Sequence, residues 1–233
     1  MANIIVFGAS RGLGEALAQS VPDPGEKVWC VSRSRPSALD LRDGVSRTWI
    51  SHDLAEPSNI GQVTRVVGEA DLGLLIYNAG IWESAGFERA SDAEICSIVN
   101  VNLTSLLLAV RHLLPNLRKA TNARVVLIGS TCGLENEGTT SVAYAATKFA
   151  ARGVAHALRE LVRSDGIAVT VISPGSMATD VTLSEGADAA LARHSGTRIP
   201  VTDIVETVRL VRRLSSAACI KELHVPALLD TDA

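Results

Sequence analysis

The chain has 233 residues, of which 47% are hydrophobic and 20% charged, and its formal net charge is −3. A chain of this length forms an α/β domain whose core is large enough to fold without metals or disulfides. Because it contains no block of like charge, its electrostatics give no reason to propose nucleic acid or an anionic membrane as a partner.

Cysteine spacing and the start of the chain indicate the cellular compartment in which the protein is expected. Cys30, Cys96, Cys132 and Cys219 form no Cys-x-x-Cys pair and none stands at metal-ligand spacing with a histidine. We therefore expect free, mostly buried thiols in a reducing compartment, and no bound metal. The first residues lack the basic start of a signal peptide, and no apolar run approaches the roughly 18 residues that span a bilayer. These features predict a cytoplasmic protein.

Short apolar runs alternate with helical patterns along the chain. The runs predicted as strands are Asn3–Phe7, Lys27–Val31, Thr48–Ser51, Leu72–Tyr77, Arg124–Ile128, Ala168–Ile172 and Leu223–Val225. The predicted helices begin near Gly12, Ser58, Ser91, Val142 and Thr202. This alternation predicts an α/β, Rossmann-type doubly wound parallel sheet of about seven strands with helices on both faces, in a single domain over residues 1–233. Ligands of such sheets bind beyond the carboxyl ends of the strands.

A glycine-rich loop follows the first predicted strand. It reads Gly8-Ala9-Ser10-Arg11-Gly12-Leu13-Gly14, and a helical stretch comes directly after it. Glycines let the backbone turn sharply and approach a pyrophosphate, while the start of a helix presents free N–H groups and the positive end of its dipole. This context predicts a dinucleotide site, with a glycine turn that binds no ligand as the alternative.

The residues after the second strand bear on which dinucleotide binds. Ser32 and Arg33 stand where an NAD-binding unit usually has a carboxylate for the ribose 2′-hydroxyl. Arg33 and Arg11 suit a 2′-phosphate instead, because arginine makes bidentate, charge-assisted hydrogen bonds to phosphate. The sequence therefore favours NADP(H) over NAD(H), unless both arginines are solvated surface charges.

Tyr144 and Lys148 form a candidate catalytic pair. Their spacing of four places both side chains on one face of a helix. Carbonyl reduction needs a proton donor at the oxygen, and an unperturbed tyrosine, with a pKa near 10, is a poor one near neutrality. A neighbouring ammonium favours the phenolate, so we expect Lys148 to lower the pKa of Tyr144 by about two to three units where water is excluded.

The loop spacing Gly-x-x-x-Gly-x-Gly, the segments Asn78-Ala79-Gly80 and Pro174-Gly175, and the Tyr-x-x-x-Lys pair resemble the short-chain dehydrogenase/reductase family. The motifs occur in family order from Asn3 to about Ser216. One departure is Phe7, where the family usually has threonine. The resemblance implies an NAD(P)-dependent oxidoreductase acting on CH–OH or carbonyl groups.

The same resemblance implies roles for individual residues. Tyr144 is the general acid/base, Lys148 tunes it, Ser130 orients the carbonyl, and Asn102 holds a water that relays protons. Thr131 is the rival hydroxyl to Ser130. The implied cofactor-binding residues are Gly8, Ser10, Arg11, Gly12, Leu13, Gly14, Ser32, Arg33, Asp53, Leu54, Asn78, Ala79, Gly80, Tyr144, Lys148, Pro174, Gly175, Met177 and Thr179.

Substrate selectivity is expected from three loops over the carboxyl edge, Ile81–Ala90, Thr131–Val142 and Ser176–Ile199. Candidate walls of the substrate pocket are Trp82, Cys132 and Leu134, and ordinary surface or core roles stay open for each of them.

The leading functional hypothesis is an NADPH-dependent reductase of a ketone or aldehyde, reversible as an alcohol dehydrogenase. The alternatives are an NAD-linked dehydrogenase acting oxidatively and a dinucleotide-sensing regulatory protein without turnover. The resemblance also implies a homodimer or homotetramer through the helices that carry Asn102 and Tyr144. The C-terminal segment at Ile220–Pro226 departs from the Asp-Gly-Gly-like family pattern, which leaves the oligomeric state open.

Overall fold

A computed structural model of the protein describes residues 2–135 and 139–230. Its strands form one parallel sheet with the spatial order β3-β2-β1-β4-β5-β6-β7. The strands are β1 (Asn3–Phe7), β2 (Lys27–Ser32), β3 (Ser46–Ser51), β4 (Leu74–Tyr77), β5 (Arg124–Ile128), β6 (Ala168–Pro174) and β7 (Glu222–Val225). The predicted doubly wound parallel sheet is confirmed.

Helices cover both faces of this sheet. They are α1 (Gly12–Ser20), α2 (Gly61–Val67), α3 (Asp92–Val99), α4 (Ser105–Leu117), α5 (Val142–Leu161), α6 (Gly186–His194) and α7 (Val201–Arg213). Apolar residues of α1 and α7 form the core on one face, and those of α2, α4 and α5 form the core on the other. Strands β4 and β5 are buried along their whole length, which explains their continuous apolar sequences.

The sequence predictions of strands agree with the structure to within two residues at each end, a difference comparable to the uncertainty of any boundary assignment. Helix α6 was not predicted, and it lies inside the segment Ser176–Ile199 that was expected to be a loop. Ala190 is its single buried residue, so the helix carries almost no apolar periodicity.

A π-helical segment, Asn100–Thr104, joins α3 to α4 and makes Asp92–Leu117 a continuous helical run of 26 residues. Among the described residues this is the one run long and apolar enough to cross a membrane by length and composition, with a mean hydropathy of 1.7 over an 18-residue window. The prediction that no apolar run has this length is therefore wrong. The run instead packs on the sheet, because Leu106, Val110 and Leu113 belong to the core.

The cysteines are free, as predicted, but most of them are not buried. Cys30 lies in β2 and is buried, Cys132 is partly buried, and Cys96 and Cys219 are exposed. The expectation of mostly buried thiols is wrong because Cys96 and Cys219 lie on the solvent side of their segments, which a lone cysteine in a sequence does not reveal.

The sheet contains one reversal of strand order that matters for binding. From β1 the chain proceeds outward through β2 to β3, and it then returns to β4 on the other side of β1. The crevice at the carboxyl ends of β1 and β4 is the place where sheets of this kind bind ligands. Gly8 follows β1 and Asn78 follows β4, so both line this crevice.

Candidate active site

The loop between β1 and α1 packs so closely that side chains do not fit at two of its positions. A Cβ on Gly14 would lie 1.8 Å from the carbonyl oxygen of Gly8. A Cβ on Gly8, whose φ is +80°, would lie 2.8 Å from the backbone of Ala79. Asn78 Nδ2 donates a 3.1 Å hydrogen bond to the Gly8 carbonyl. The glycine loop is thus held against the segment after β4.

The start of α1 is open to an anion. Its first residue, Gly12, has a φ of +54°, and a Cβ there would lie 3.1 Å from Cβ of Thr179. Arg11 precedes the helix, and because its side chain has no acceptor it leaves the first N–H groups uncapped. Free N–H groups at a helix start bind phosphate. The predicted loop residues, from Gly8 and Ser10 through Leu13 to Gly14, therefore fit the pyrophosphate of a dinucleotide.

Two arginines lie at the predicted adenosine end of the site. Arg11 and Arg33 are exposed, and within the part of the chain that the structure describes neither forms an ion pair. Arg35 differs from them, because it is paired with Asp40. Ser32 is buried and its hydroxyl donates a 2.8 Å hydrogen bond to the Ser34 carbonyl, so its hydrogen is already engaged.

Asp53 and Leu54 have local structural contacts at the end of β3. Asp53 Oδ1 accepts a 3.0 Å hydrogen bond from the Ala55 N–H, as an Asx turn does. Leu54 is buried in the core and its carbonyl accepts a 2.6 Å hydrogen bond from Ser105 Oγ. Their contact with adenine stays a prediction.

Ser130 and Tyr144 come together at the end of β5. Ser130 has extended backbone geometry, and its Oγ accepts a 3.2 Å hydrogen bond from the Cys132 N–H. Tyr144 lies in the first turn of α5; burial raises its pKa, and the neighbouring Ser130 side chain acts to lower it. The structure therefore brings the two predicted hydroxyls near each other, and their contact with a carbonyl oxygen stays a prediction.

Lys148 is buried beneath this pair. Its Nζ donates a 2.9 Å hydrogen bond to the carbonyl of Ile128, the last residue of β5. A Cβ on Gly80 would lie 3.4 Å from Lys148 Nζ and 3.9 Å from Asn102 Oδ1. The small residue at position 80 thus brings the loop after β4 next to the lysine and the asparagine.

Asn102 joins three segments of the site. It lies in the π-helical segment, where local unwinding turns its amide into the protein, and its side chain is 4% exposed. Its Oδ1 accepts from Ile81 N–H at 2.9 Å, and its Nδ2 donates to the Ile81 carbonyl at 2.8 Å and to Thr147 Oγ1 at 3.0 Å. Asn100, two residues earlier, instead donates to the Ala55 carbonyl.

Burial dominates the ionisation of the predicted catalytic pair, Tyr144 and Lys148. It raises the pKa of Tyr144 above its usual value, and it lowers the pKa of Lys148 from 10.5 to about 8. The predicted net fall of the Tyr144 pKa is therefore wrong for the protein alone, because burial outweighs the factors that lower it. Lys148 Nζ binds the Ile128 carbonyl and lies 5.3 Å from the centroid of the tyrosine ring.

The segment after β6 completes the carboxyl edge. Pro174 ends the strand and is buried, and Gly175 N–H donates a 3.0 Å hydrogen bond to the Val225 carbonyl. Met177 pairs with Ile199 in a β-bridge, which places Thr179 beside the glycine loop. The predicted residues from Pro174 to Thr179 thus follow β6 at the carboxyl edge of the sheet, and Thr179 reaches the glycine loop.

The three predicted pocket walls differ in exposure. Trp82 is 63% exposed and packs edge-on to Tyr144, with ring centroids 6.3 Å apart and planes at 78°. Cys132 is partly buried. Leu134 is 8% exposed, and its role as a pocket wall stays a prediction.

The sequence analysis did not predict Glu83, which contacts α5, the helix that carries Tyr144 and Lys148. Its Oε1 accepts a 2.6 Å hydrogen bond from the Ala143 N–H, at the start of α5, and the residue is 4% exposed. The available signal was weak: an acidic residue three positions after Asn78-Ala79-Gly80 reads as an ordinary loop residue.

Comparison with known proteins agrees with this geometry. The family model for short chain dehydrogenase matches residues 2–190. The 3-oxoacyl-(acyl-carrier-protein) reductase FabG of Escherichia coli is 32% identical over 184 residues, covering 76% of this chain and 74% of the relative. A Pseudomonas aeruginosa 3-oxoacyl-(acyl-carrier-protein) reductase of rhamnolipid biosynthesis is 28% identical over 207 residues, covering 84% and 81%.

Solved structures share the fold at lower identity. An alcohol dehydrogenase from Thermococcus sibiricus, in complex with 5-hydroxy-NADP, superposes with a TM-score of 0.82 and 21% identity over 98% of this chain and 97% of that one. The aldohexose dehydrogenase of Thermoplasma acidophilum gives a TM-score of 0.79 and 21% identity over 100% and 95%. The chain therefore belongs to the short-chain dehydrogenase family, whose members are NAD(P)-dependent oxidoreductases acting on CH–OH or carbonyl groups.

Proposed function

We propose that this protein is an NADPH-dependent reductase of a ketone or aldehyde, reversible as an alcohol dehydrogenase. The observation that carries the proposal is the convergence of Ser130, Tyr144 and Lys148 at the carboxyl edge of the sheet, beside a glycine loop that leaves the start of α1 open. The 3-oxoacyl-(acyl-carrier-protein) reductases among its relatives reduce a ketone, which supports the same reaction here.

In the proposed reaction the bound nicotinamide would supply the hydride to the carbonyl carbon. Tyr144 gives its phenolic proton to the carbonyl oxygen, and Ser130 donates a hydrogen bond to that oxygen, so charge developing there is neutralised. The Lys148 ammonium stabilises the phenolate left on Tyr144, and its hydrogen bond to Ile128 fixes its position. Asn102 is proposed to hold the water through which the lysine is reprotonated.

A preference for NADPH is supported by Arg11 and Arg33. Both are exposed and free of ion pairs in the described part of the chain, and Ser32 stands where a carboxylate would repel a 2′-phosphate. That the Thermococcus sibiricus protein was solved with an NADP derivative is consistent with this preference.

The proposed assembly is a homodimer or homotetramer through α4 and α5. Leu107 on α4 is 46% exposed, and Val142 and Phe149 on α5 are 49% and 43% exposed. Ala146 and Gly153 are also exposed on α5, and such small residues allow helices to approach closely. A cytoplasmic location is likewise proposed, supported by four cysteines that are all unpaired.

A panel of carbonyl substrates tests the function. Purified protein is mixed with NADPH or NADH and with aliphatic aldehydes, cyclic ketones, hexose sugars or a 3-oxoacyl thioester, and nicotinamide absorbance is followed. We expect turnover with at least one carbonyl and faster turnover with NADPH. Tight binding of NADPH without turnover of any carbonyl or alcohol would instead favour the regulatory alternative, and faster oxidation of alcohols with NAD⁺ would favour the oxidative one.

A further inference from the structure

Glu83 is a buried carboxylate that connects the loop after β4 to the helix carrying Tyr144 and Lys148. Its Oε1 accepts the 2.6 Å hydrogen bond from Ala143 N–H, across 60 positions of sequence. Ala143 directly precedes Tyr144. The hydrogen bond therefore acts on the backbone one residue away from the proposed proton donor.

The site of this contact suits a negative charge. The first N–H groups of a helix have no partner within the helix, and the helix dipole is positive at this end. Helix α5 has 20 residues, and Ser141, which precedes it, makes no side-chain hydrogen bond to its first turn. Glu83, from a distant loop, supplies the acceptor that the local sequence does not.

The second carboxylate oxygen is hard to explain by stability alone. Glu83 Oε2 is buried and has no hydrogen-bond partner among the described residues. Burying a charged group with an unsatisfied oxygen disfavours folding, and a glutamine or serine at this place would provide an acceptor without the charge. A carboxylate that is present despite this unfavourable burial points to a role beyond capping the helix.

The neighbouring residue extends the contact to the substrate side. Trp82 precedes Glu83 and packs edge-on to the Tyr144 ring. A loop pinned at position 83 thus fixes Tyr144 from two directions, through the backbone at Ala143 and through the ring contact with Trp82. We propose that Glu83 is a positioning residue for Tyr144, which holds the phenol in place by tying the loop after β4 to the first turn of α5.

This inference rests on the proposed function, but it has a readout independent of turnover. The chain has two tyrosines, and the other, Tyr77, is buried and donates its hydroxyl hydrogen to the Val101 carbonyl. Burial raises the pKa of Tyr77 far above its usual value. With tyrosine labelled with ¹³C at Cζ, the signal that titrates first therefore belongs to Tyr144, whether or not a substrate is known.

The variants Glu83→Ala and Glu83→Gln are compared with the matched control Glu94→Gln. Glu94 Oε1 accepts from the N–H of Ser84 in the same loop at 2.8 Å, and among the described residues its carboxylate forms no hydrogen bond with α5. Apart from Glu83, the ionisable neighbours of Tyr144 are Lys148 and Cys132, and they are unchanged in every variant.

We expect Glu83→Ala to lower kcat at least about tenfold with NADPH affinity within about twofold of wild type, because misplacing a reacting group slows chemistry more than binding. Glu83→Gln keeps an oxygen acceptor and should recover most of kcat, while loss of the negative charge lowers the Tyr144 pKa seen by NMR by about half a unit to one unit. Glu94→Gln should change neither kcat nor the Tyr144 pKa.

The proposal is overturned if Glu83→Ala keeps the wild-type kcat, or if neither variant moves the Tyr144 titration. If Glu83→Ala does not fold, the Tyr144 titration of Glu83→Gln alone tests the proposal. If wild type turns over no carbonyl while the Tyr144 titration still responds to position 83, the proposed function fails and the positioning role stands.

Discussion

Lys148 Nζ lies 5.3 Å from the centroid of the Tyr144 ring and donates a 2.9 Å hydrogen bond to the Ile128 carbonyl. Within the described residues no carboxylate pairs with this buried cation. Burial without a counter-charge explains why its pKa falls to about 8. The fold therefore holds a cation, whose charged form burial disfavours, beside a phenol. This cation can stabilise a phenolate when one forms, and it lowers the stability of the fold when none is present.

Replacing Lys148 with methionine should stabilise the protein and impair it as a catalyst. Removing a buried, unpaired ammonium relieves its desolvation, while the Ile128 carbonyl loses its hydrogen bond, so we expect a net gain of about 1–2 kcal/mol in the free energy of unfolding at pH 7. Urea denaturation measures this free energy of unfolding.

Because burial lowers the pKa of Lys148 from 10.5 to about 8, the unfolded chain binds more protons than the folded protein between those two pH values, and wild-type stability should rise with pH there. In Lys148→Met this rise should disappear.

The pH dependence of reduction should follow Lys148. Below a pH of about 8 the ammonium is present and can stabilise the phenolate, and above it the charge is lost. We expect kcat/KM for carbonyl reduction to be level below about pH 8 and to fall about tenfold per pH unit above it. The control is Lys148→Arg, whose guanidinium stays protonated; its rate will be lower, but a descending limb at the same pH would show that another group is responsible.

Cofactor preference should depend on Arg33. Arg33→Ala removes a cation proposed to bind the 2′-phosphate, so the Kd for NADPH should rise at least about tenfold, a loss typical of a charge-assisted hydrogen bond, while the Kd for NADH stays within about twofold. Fluorescence titration measures both constants. Arg35→Ala is the matched control, since Arg35 is already paired with Asp40. Equal weakening of NADPH and NADH would place Arg33 outside the phosphate site.

The exposed apolar face of α5 should mediate self-association. Phe149 is 43% exposed, and a carboxylate in its place would be buried unpaired in an interface between two copies. We expect Phe149→Asp to convert an oligomer into monomers when measured by light scattering after size-exclusion chromatography. Leu228→Asp, at an apolar position that is 95% exposed and outside α5, serves as the control and should leave the oligomer intact. A monomeric wild-type protein would contradict the proposed assembly.

Periodicity predicted the sheet well because its strands are buried on both faces and therefore apolar throughout. Strands β1 and β5 agree with the structure residue for residue. Helix α6 was not predicted because its contacts with the protein involve few apolar residues, and Ala190 is its single buried residue. Periodicity detects a helix only where a core imposes it.

The site was predictable where chemistry restricts the residue type and unpredictable where geometry decides. Glycines at positions 8 and 14 are required by backbone contacts, so their spacing was visible in the sequence. The role of Glu83 depends on two segments 60 residues apart that meet in the fold, and no local pattern marks it. The direction of the Tyr144 pKa shift could not be predicted from the sequence either, because burial and the orientation of Lys148 are properties of the fold alone.

Tyr144→Phe tests the central claim, that Tyr144 donates the proton to the carbonyl oxygen. With the carbonyl that wild type reduces, kcat should fall by about 10²–10⁴, the usual contribution of a general acid, while the Kd for NADPH stays within about twofold. Tyr77→Phe, which removes the buried hydroxyl that binds the Val101 carbonyl, should lower stability but leave kcat within about threefold. A Tyr144→Phe protein that retains the wild-type kcat would contradict the account.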